Sequence, residues 1–208
     1  MDAETRLAEI AAEIRQCQDC PLSKNRKNAV PGAGPAKAEI MAIGEGPGHH
    51  ENEKGLPFVG ASGKFLTQLF SDGGVPRETV FITNVVKCRP PGNRDPQPIE
   101  LQACSHYLER QIEVIDPLII ITLGRFSMAR YFKNVRISNI HGEPSWQDGR
   151  LIVPMYHPAA ALHQPKLRPV IAHDFAQLKE MIERQKVRHA KNVTDKNEQD
   201  STSQLSLF

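Results

Sequence analysis

Apolar and polar residues alternate along the chain in blocks that predict helices between strands. Residues 3–16 place Leu7, Ile10, Ala11 and Ile14 on one face of a helix. Helical patterns recur over 61–72, 98–115 and 168–188, and near-continuous apolar runs predict strands at 38–43, 80–83, 118–123 and 151–155. Apolar strands that alternate with helices are typical of a parallel sheet covered on both faces. We therefore expect an α/β protein, with a three-layer α/β/α fold and a four-stranded parallel sheet.

Three further segments complete this outline. The stretch from Gly142 to Leu151 predicts a hairpin that turns near Asp148 and Gly149, and residues 49–54 fall within a long polar loop. From residue 189 the composition turns polar, with too few bulky apolar residues to form a packed core. We expect one domain over 1–188 and a disordered tail over 189–208, although the last five residues become apolar again.

Composition and charge narrow the class of protein only slightly. The 208 residues carry 26 Lys and Arg against 24 Asp and Glu, a net charge of +2 that predicts no strong field. The tail from residue 191 contributes −1, which leaves +3 for residues 1–190. No apolar run approaches the roughly 18 residues of a membrane helix, and the acidic first helix does not resemble a secretory leader. We expect a cytoplasmic protein, in whose reducing surroundings cysteines serve as ligands more often than as disulfides.

The glycine-rich segments do not match the common nucleotide-binding motifs. Residues 44–48, with the sequence GEGPG, lack the GxGxxG spacing, and Pro47 removes an N–H that a pyrophosphate site would use. Lys64 is followed by Phe65 and not by Ser or Thr, so a phosphate-binding loop is also excluded. From the residues alone, GEGPG is equally compatible with a tight turn and with a ligand-binding loop.

Polar residues follow the predicted strands at one edge of the sheet. In an open parallel sheet, chemistry gathers beyond the carboxyl ends of the strands. Segments 44–48, 84–96 and 156–162 occupy that position and bring Glu45, Asn84, Asn93 and His157 within reach of one another. A lone histidine is more often structural than catalytic, but at a strand end a neutral imidazole can donate an N–H to a developing anion.

The four cysteines have a spacing that suits a metal or cluster site. Cys17 and Cys20 form a C-x2-C pair, and Cys88 and Cys104 follow far along the chain with 15 residues between them. The second pair is too widely spaced for a compact zinc knuckle, and four thiolates also suit an iron–sulfur cluster. The pattern itself leaves zinc and iron–sulfur open. Four unrelated buried cysteines are less expected, because three lie in polar, proline-rich surroundings.

Several motifs together resemble the family 4 uracil-DNA glycosylases, the bacterial iron–sulfur type. These motifs are GEGPG at 44–48, GLPFVG at 55–60, NVVKCRPP at 84–91 and HPAAAL at 157–162. Their order and spacing are more specific than any one of them, and the likeness covers about residues 10–185. The resemblance implies a four-stranded parallel sheet between helices and a [4Fe-4S] cluster held by Cys17, Cys20, Cys88 and Cys104. It also implies hydrolysis of the N-glycosidic bond of uracil in DNA.

The resemblance assigns roles to the residues at the strand ends. Phe58 matches the aromatic that stacks on the extruded base, and Asn84 matches the amide that reads uracil. His157 matches the donor to uracil O2, which stabilises the leaving group. Glu45 and Gly46 match positions that line the base and water side of the pocket. A related family orients water with Asp where this chain has Gly46, so water placement is expected from Glu45 or Asn93.

Two more residues match positions around the base. Glu51 matches a carboxylate near the 5-edge of the base, where it would help to exclude the methyl group of thymine; the alternative is an exposed loop acid. The family often has Asp at the next position, but this chain has Asn52, which puts acid–base chemistry there in doubt. Leu162 lies where related enzymes place a wedge in the duplex, although a leucine here is equally compatible with the core.

The basic residues and the last five residues of the sequence indicate which macromolecules the protein binds. Basic residues flank the motifs or the cysteines and are candidates for phosphate contacts: Lys24, Arg26, Lys27, Lys87, Arg89, Arg94, Lys166 and Arg168. The terminal QLSLF resembles the bacterial sliding-clamp binding peptide, with Gln204, Leu205, Leu207 and Phe208 as contacts. We expect a monomer that acts on uracil in single- or double-stranded DNA. The alternatives are a non-catalytic DNA-binding member of the family, a zinc-stabilised nucleic-acid adaptor and an electron-transfer protein.

Overall fold

A computed structural model describes residues 1–188 and contains one five-stranded sheet. The strands are β1 (Ile40–Gly44), β2 (Val80–Asn84), β3 (Ile119–Leu123), β4 (Ser145–Gln147) and β5 (Arg150–Met155), in the order β2-β1-β3-β5-β4. All neighbouring pairs are parallel except β4 with β5, which form an antiparallel hairpin. The four predicted parallel strands are all present, and the predicted hairpin adds β4 as a fifth strand at the edge.

Eight helices with defined bounds connect and cover these strands in residues 1–188. They are α1 (Ala3–Gln16), α2 (His49–Lys54), α3 (Ala61–Asp72), α4 (Pro98–Ile115), α5 (Arg125–Met128), α6 (Ile137–Ile140), α7 (Pro158–His163) and α8 (Arg168–Ala176). Helix α4 begins with a capping box, in which Gln97 and Glu100 each accept a hydrogen bond from the other's backbone. The helices predicted at 3–16, 61–72 and 98–115 are confirmed.

The prediction was wrong in two connecting segments. Residues 49–54 form α2 and not a loop, because the side chains that this helix buries, Glu51 and Asn52, are polar and hide its amphipathic pattern. The predicted helix at 168–188 is interrupted at Gln177, whose N–H bonds the carbonyl of Asp174 three residues back. Helical structure resumes over 178–188.

Buried residues on both faces of the sheet establish the three layers. Ile40 and Ala42 of β1 face a core that also contains Leu66 and Phe70 of α3 and Phe175 of α8. The alternate residues Met41 and Ile43 face a second core with Leu108 and Ile115 of α4. This alternation follows from the period-2 geometry of a strand and requires helices on both sides of the sheet.

The connections place the carboxyl ends of four strands at one edge. The chain passes from β1 to its neighbour β2 and then returns to β3 on the opposite side of β1. Such a reversal of strand order opens a crevice at the strand ends, which is the preferred ligand site of open α/β sheets. In residues 1–188, no helix has the length and apolar character needed to cross a membrane.

Candidate active site

A cleft of about 510 Å³ lies at the carboxyl ends of the strands. Its walls come from the segments that follow β1, β2 and β5, and the lining includes Glu45, Gly46, Glu51, Asn93, Asp95, His157 and His163. The topology therefore brings together residues that are far apart in sequence.

His157 is held as a neutral hydrogen-bond donor. It caps the N-terminus of α7, where its Nδ1 accepts a hydrogen bond from the N–H of Ala159 at 3.1 Å. Burial lowers the pKa of His157 to about 4, because the charged imidazolium is poorly solvated there. A neutral ring whose Nδ1 is an acceptor carries its proton on Nε2. That N–H is available to a group bound in the cleft.

Asn84 and Phe58 lie beside each other at the ends of β1 and β2. Asn84 is 1% exposed, and its Oδ1 accepts no hydrogen bond within residues 1–188. A Cβ at Gly44 would lie 2.4 Å from this Oδ1 and 2.8 Å from Cζ of Phe58, so only glycine permits the approach. The Phe58 ring stacks on the His157 ring, with the centroids 5.5 Å apart. An unpartnered buried amide beside two stacked rings suits recognition of a planar, hydrogen-bonding ligand.

Glu51 anchors the loop that carries Phe58. Its Oε1 accepts hydrogen bonds from the N–H groups of Val59 and Gly60, both at 2.9 Å. Glu51 is 8% exposed, so the alternative of an exposed loop acid is wrong. The neighbouring Asn52 likewise accepts from the N–H of Lys27 at 3.0 Å, which is a structural contact.

Arg77 holds the same loop from the other side and was not found in the sequence. Its guanidinium donates to the carbonyls of Pro57 at 3.0 Å and Phe58 at 3.1 Å. Phe58 has a φ of 51°, a left-handed conformation that is unfavourable for a residue with a side chain. In the sequence, Arg77 follows a proline in a polar segment that contains no motif. The role of Arg77 therefore becomes visible only from the left-handed backbone of Phe58 in the structure.

The predicted water-placing residues lie in the cleft wall. Glu45 is half-buried, and burial together with the nearby Asp95 raises the pKa of its carboxyl above the usual value. Asn93 uses its Oδ1 to accept from Arg89 Nε at 2.8 Å, which leaves its amide N–H₂ for other partners. Gly46 packs closely on the following segment, because a Cβ there would lie 2.8 Å from a methyl group of Val86.

The four cysteines line a single small cavity on the far side of α4. Cys17, Cys20, Cys88 and Cys104 surround it together with Tyr107. Arg26 Nη1 donates to Cys88 Sγ at 3.2 Å, and the Lys87 N–H donates to Cys104 Sγ at 3.3 Å. Within residues 1–188 no three His, Cys, Asp or Glu side chains are grouped so as to hold a single metal ion.

Lys87 connects the cysteine cavity with the end of β2. Its side chain is 1% exposed, and its Nζ donates to Thr83 Oγ1 at 2.6 Å, the Asn84 carbonyl at 2.8 Å and Gln111 Oε1 at 2.7 Å. Lys87 is therefore too buried to contact phosphate, contrary to its place among the predicted phosphate contacts. Arg94, another of the predicted phosphate contacts, already forms a bidentate ion pair with the buried Glu100.

Comparison with known proteins assigns this arrangement to a family. The sequence profile of the uracil DNA glycosylase superfamily matches residues 31–184, a span that includes the whole cleft. The chain belongs to the uracil-DNA glycosylase superfamily.

Individual relatives of this superfamily member agree with the predicted resemblance to family 4. A type-4 uracil-DNA glycosylase of Saccharolobus solfataricus is 52% identical over 188 residues, which cover 83% of this chain and 85% of the relative. A type-4 enzyme of Thermotoga maritima is 40% identical over 191 residues, covering 89% of this chain and 100% of the relative. A type-5 enzyme of Pyrobaculum aerophilum is 32% identical and covers 62% of this chain and 65% of the relative.

The remaining predicted residues of this superfamily member are the wedge candidate and the clamp-binding peptide. Leu162 is 46% exposed near the end of α7, so its alternative place in the core is wrong and its role as a wedge stays a prediction. The clamp-binding residues Gln204, Leu205, Leu207 and Phe208 lie outside the described residues.

Proposed function

We propose that the protein is a uracil-DNA glycosylase, which hydrolyses the N-glycosidic bond of uracil extruded from DNA and leaves an abasic site. The observation that carries the proposal is the neutral His157, which stacks against Phe58 at the strand ends and keeps Nε2–H free. Enzymes that act on a DNA base take it out of the duplex into a pocket with stacking and hydrogen-bonding groups. The names of the type-4 relatives support the same activity.

Recognition of uracil falls to Asn84. A side-chain amide can donate to uracil O4 and accept from N3–H, whereas cytosine offers the opposite pattern at both positions. The buried, unpartnered Oδ1 of Asn84 is the acceptor that this pairing requires. An oriented pair of this kind discriminates between bases by about 1–3 kcal/mol.

Bond cleavage leaves negative charge on the departing uracil, partly on O2. His157 Nε2–H stabilises this charge as it develops, and because the ring starts neutral it does not transfer a proton beforehand. Glu45 or the Asn93 amide then places the water that attacks the sugar. Because the pKa of the Glu45 carboxyl is raised, it lies nearer to neutral pH than the pKa of an exposed glutamate. This suits a group that positions the attacking water.

The four cysteines are proposed to hold a [4Fe-4S] cluster. They line one cavity, and backbone and guanidinium N–H groups donate to two of their sulfur atoms, as suits thiolates that bind iron. The cluster would join α1 to the segment after β2 and to α4. The purified protein should be brown and contain iron, and a colourless zinc protein would contradict this.

The decisive experiment measures release of uracil. The protein is incubated with single- and double-stranded oligonucleotides that contain one uracil, and alkali then cleaves the abasic sites. We expect cleavage at the uracil and a rate about 10²–10³ lower for His157→Ala, the usual cost of losing such a donor. The matched control is His173→Ala, an exposed histidine of α8. No cleavage by the wild type would refute the function, and full activity of His157→Ala would refute the role of His157.

Two predictions on partners and location belong with this proposal. We propose that the terminal QLSLF binds the bacterial sliding clamp, with Leu207 and Phe208 in an apolar groove. A pull-down with the clamp should succeed with the full chain and fail after removal of the last five residues; equal capture of both would contradict the idea. A cytoplasmic monomer fits the use of the cysteines as ligands.

A further inference from the structure

A basic and aromatic groove follows strand β3, next to the cleft. Residues 125–136 (RFSMARYFKNVR) contain four Lys or Arg residues and no acidic residue, although the whole chain carries only +2. Part of this segment lines a groove of about 450 Å³ whose walls include Arg125, Phe126, Phe132 and Lys133, while Arg130 and Arg136 lie outside the lining. None of the motifs at the strand ends includes this segment.

The groove adjoins the cleft. At its near end, Gly124 lies so close to His157 that a Cβ there would be 3.1 Å from the His157 Cβ. The next residue, Arg125, forms an ion pair with Asp95, which lines the cleft. The Arg125–Asp95 ion pair therefore lies between the groove and the cleft.

The side chains of the groove have the chemistry of a single-strand binding surface. The Arg125 guanidinium lies 4.5 Å from the centre of the Phe126 ring, and the rings of Phe126 and Phe132 are both partly exposed. Lys133 lines the groove, and Arg136 directly follows the lining residue Val135; both cations are exposed, and in residues 1–188 neither takes part in an ion pair. Exposed cations beside aromatic faces bind phosphates and unstacked bases without regard to sequence.

We propose that this groove binds the single DNA strand that flanks the extruded nucleotide, with its phosphates on Lys133 and Arg136 and its bases against Phe126 and Phe132. The inference rests on the proposed glycosylase function. Charge complementarity and the position next to the cleft favour a DNA strand over an apolar protein segment, which would leave the cations without partners. The groove thereby extends the footprint on DNA beyond the base pocket.

The test compares substrates that do and do not reach the groove. Wild type, Lys133→Ala/Arg136→Ala and a control, Lys37→Ala/Lys179→Ala, are assayed on single strands of about five and about twenty-five nucleotides with a central uracil. The control removes the same charge from exposed residues near the opposite end of the sheet, since Lys37 precedes β1 and Lys179 contacts the turn before β2.

We expect the groove variant to show a raised KM on the long strand and an unchanged kcat/KM on the short one. The slope of log(kcat/KM) against log salt on the long strand should fall by about 1.4, because each lost phosphate contact on a single strand contributes about 0.7. Phe126→Leu keeps an apolar side chain without the ring, and on the long strand it should raise KM at least about fivefold. The control should match the wild type.

Two results would overturn the inference. One is a groove variant with the wild-type KM and salt slope on the long strand, and the other is an equal loss on both lengths. If no variant releases uracil, the glycosylase function has failed, and fluorescence anisotropy with the same strands still tests the groove. Unchanged affinity of Lys133→Ala/Arg136→Ala for the long strand in that measurement would also overturn it.

Discussion

Replacing Arg77 by methionine should slow the enzyme, although Arg77 does not line the cleft. Its guanidinium donates to the carbonyls of Pro57 and Phe58 and also to Thr67 Oγ1 at 2.9 Å. Methionine keeps much of the packing of the side chain but removes all of these donors. The loop with the left-handed Phe58 then loses the hydrogen bonds from Arg77. It keeps those that Glu51 accepts from the N–H groups of Val59 and Gly60.

The size of the effect follows from these hydrogen bonds. Each bond to a charged group contributes about 1.5–3 kcal/mol, and two of them hold the loop carbonyls. Arg77 is half-buried and water can replace part of the loss, so about 2 kcal/mol is a reasonable net figure. A left-handed non-glycine residue costs about 1–2 kcal/mol, so this loss is large enough to release Phe58 from its place beside His157. At about 1.4 kcal/mol per factor of ten, we expect kcat/KM to fall about 10- to 30-fold.

The assay separates positioning from stability. Steady-state kinetics on a single strand with one uracil give kcat and KM, and thermal unfolding gives Tm, which should fall by about 4–8 °C for 2 kcal/mol. Arg77→Lys keeps the charge but not the planar fork and should lie between the wild type and Arg77→Met. Arg184→Met is the control, because Arg184 is exposed and its one ion pair within residues 1–188 is with Glu180. A kcat/KM within twofold of the wild type, together with a lowered Tm, would refute the positioning role.

Three further predictions concern buried titratable groups. Because the pKa of His157 is about 4 in the folded protein, its ring stays neutral at ordinary pH, and the acid limb of the kcat/KM profile should report the raised pKa of Glu45. Glu45→Gln should remove that limb, and its persistence would contradict the prediction. The pKa of His157 is about 4 in the folded protein and 6.5 in the unfolded chain, so its contribution to stability is complete above pH 6.5 and is lost as pH falls toward 4. Between pH 6.5 and 4, Tm should therefore fall more steeply in the wild type than in His157→Ala. Lys87→Met removes the Nζ donor from three buried acceptors, of which Gln111 Oε1 keeps only a long hydrogen bond from Thr83 Oγ1 at 3.4 Å. It should lower the free energy of unfolding by about 3 kcal/mol in denaturant titration; a loss below about 1 kcal/mol would contradict this.

The sequence predicted those parts of the fold in which burial depends on apolar side chains. Strands β1, β2, β3 and β5 are continuous apolar runs, and α1, α3 and α4 have a clear apolar face, so their bounds were found to within two residues. The pattern failed at α2, because Glu51 and Asn52 are buried by hydrogen bonds and not by apolar packing. Periodicity records only apolar burial and cannot detect a helix that buries polar groups.

The candidate site shows the same limit. Glu45, Asn84 and His157 were predicted because each lies at or just after the end of a strand, and parallel strands carry such residues to one edge. Arg77 was missed because it acts on backbone carbonyls of the Phe58 loop, an interaction that leaves no spacing in the sequence. Lys87 was taken for a surface cation, because nothing in the sequence distinguishes a lysine with three buried acceptors from a solvated one.

The buried lysine also explains how the cysteine cavity and the base pocket depend on each other. Asn84 and Cys88 are separated by only three residues, and Lys87 bonds the Asn84 carbonyl through its ammonium and Cys104 Sγ through its backbone N–H. A change in the position of Cys104 therefore moves the backbone that fixes Asn84. Because Asn84 Oδ1 has no protein partner of its own in residues 1–188, that backbone is what orients the amide. We therefore expect loss of the cysteine site to weaken the recognition of uracil proposed for Asn84, even if the cysteine site takes no part in the chemistry.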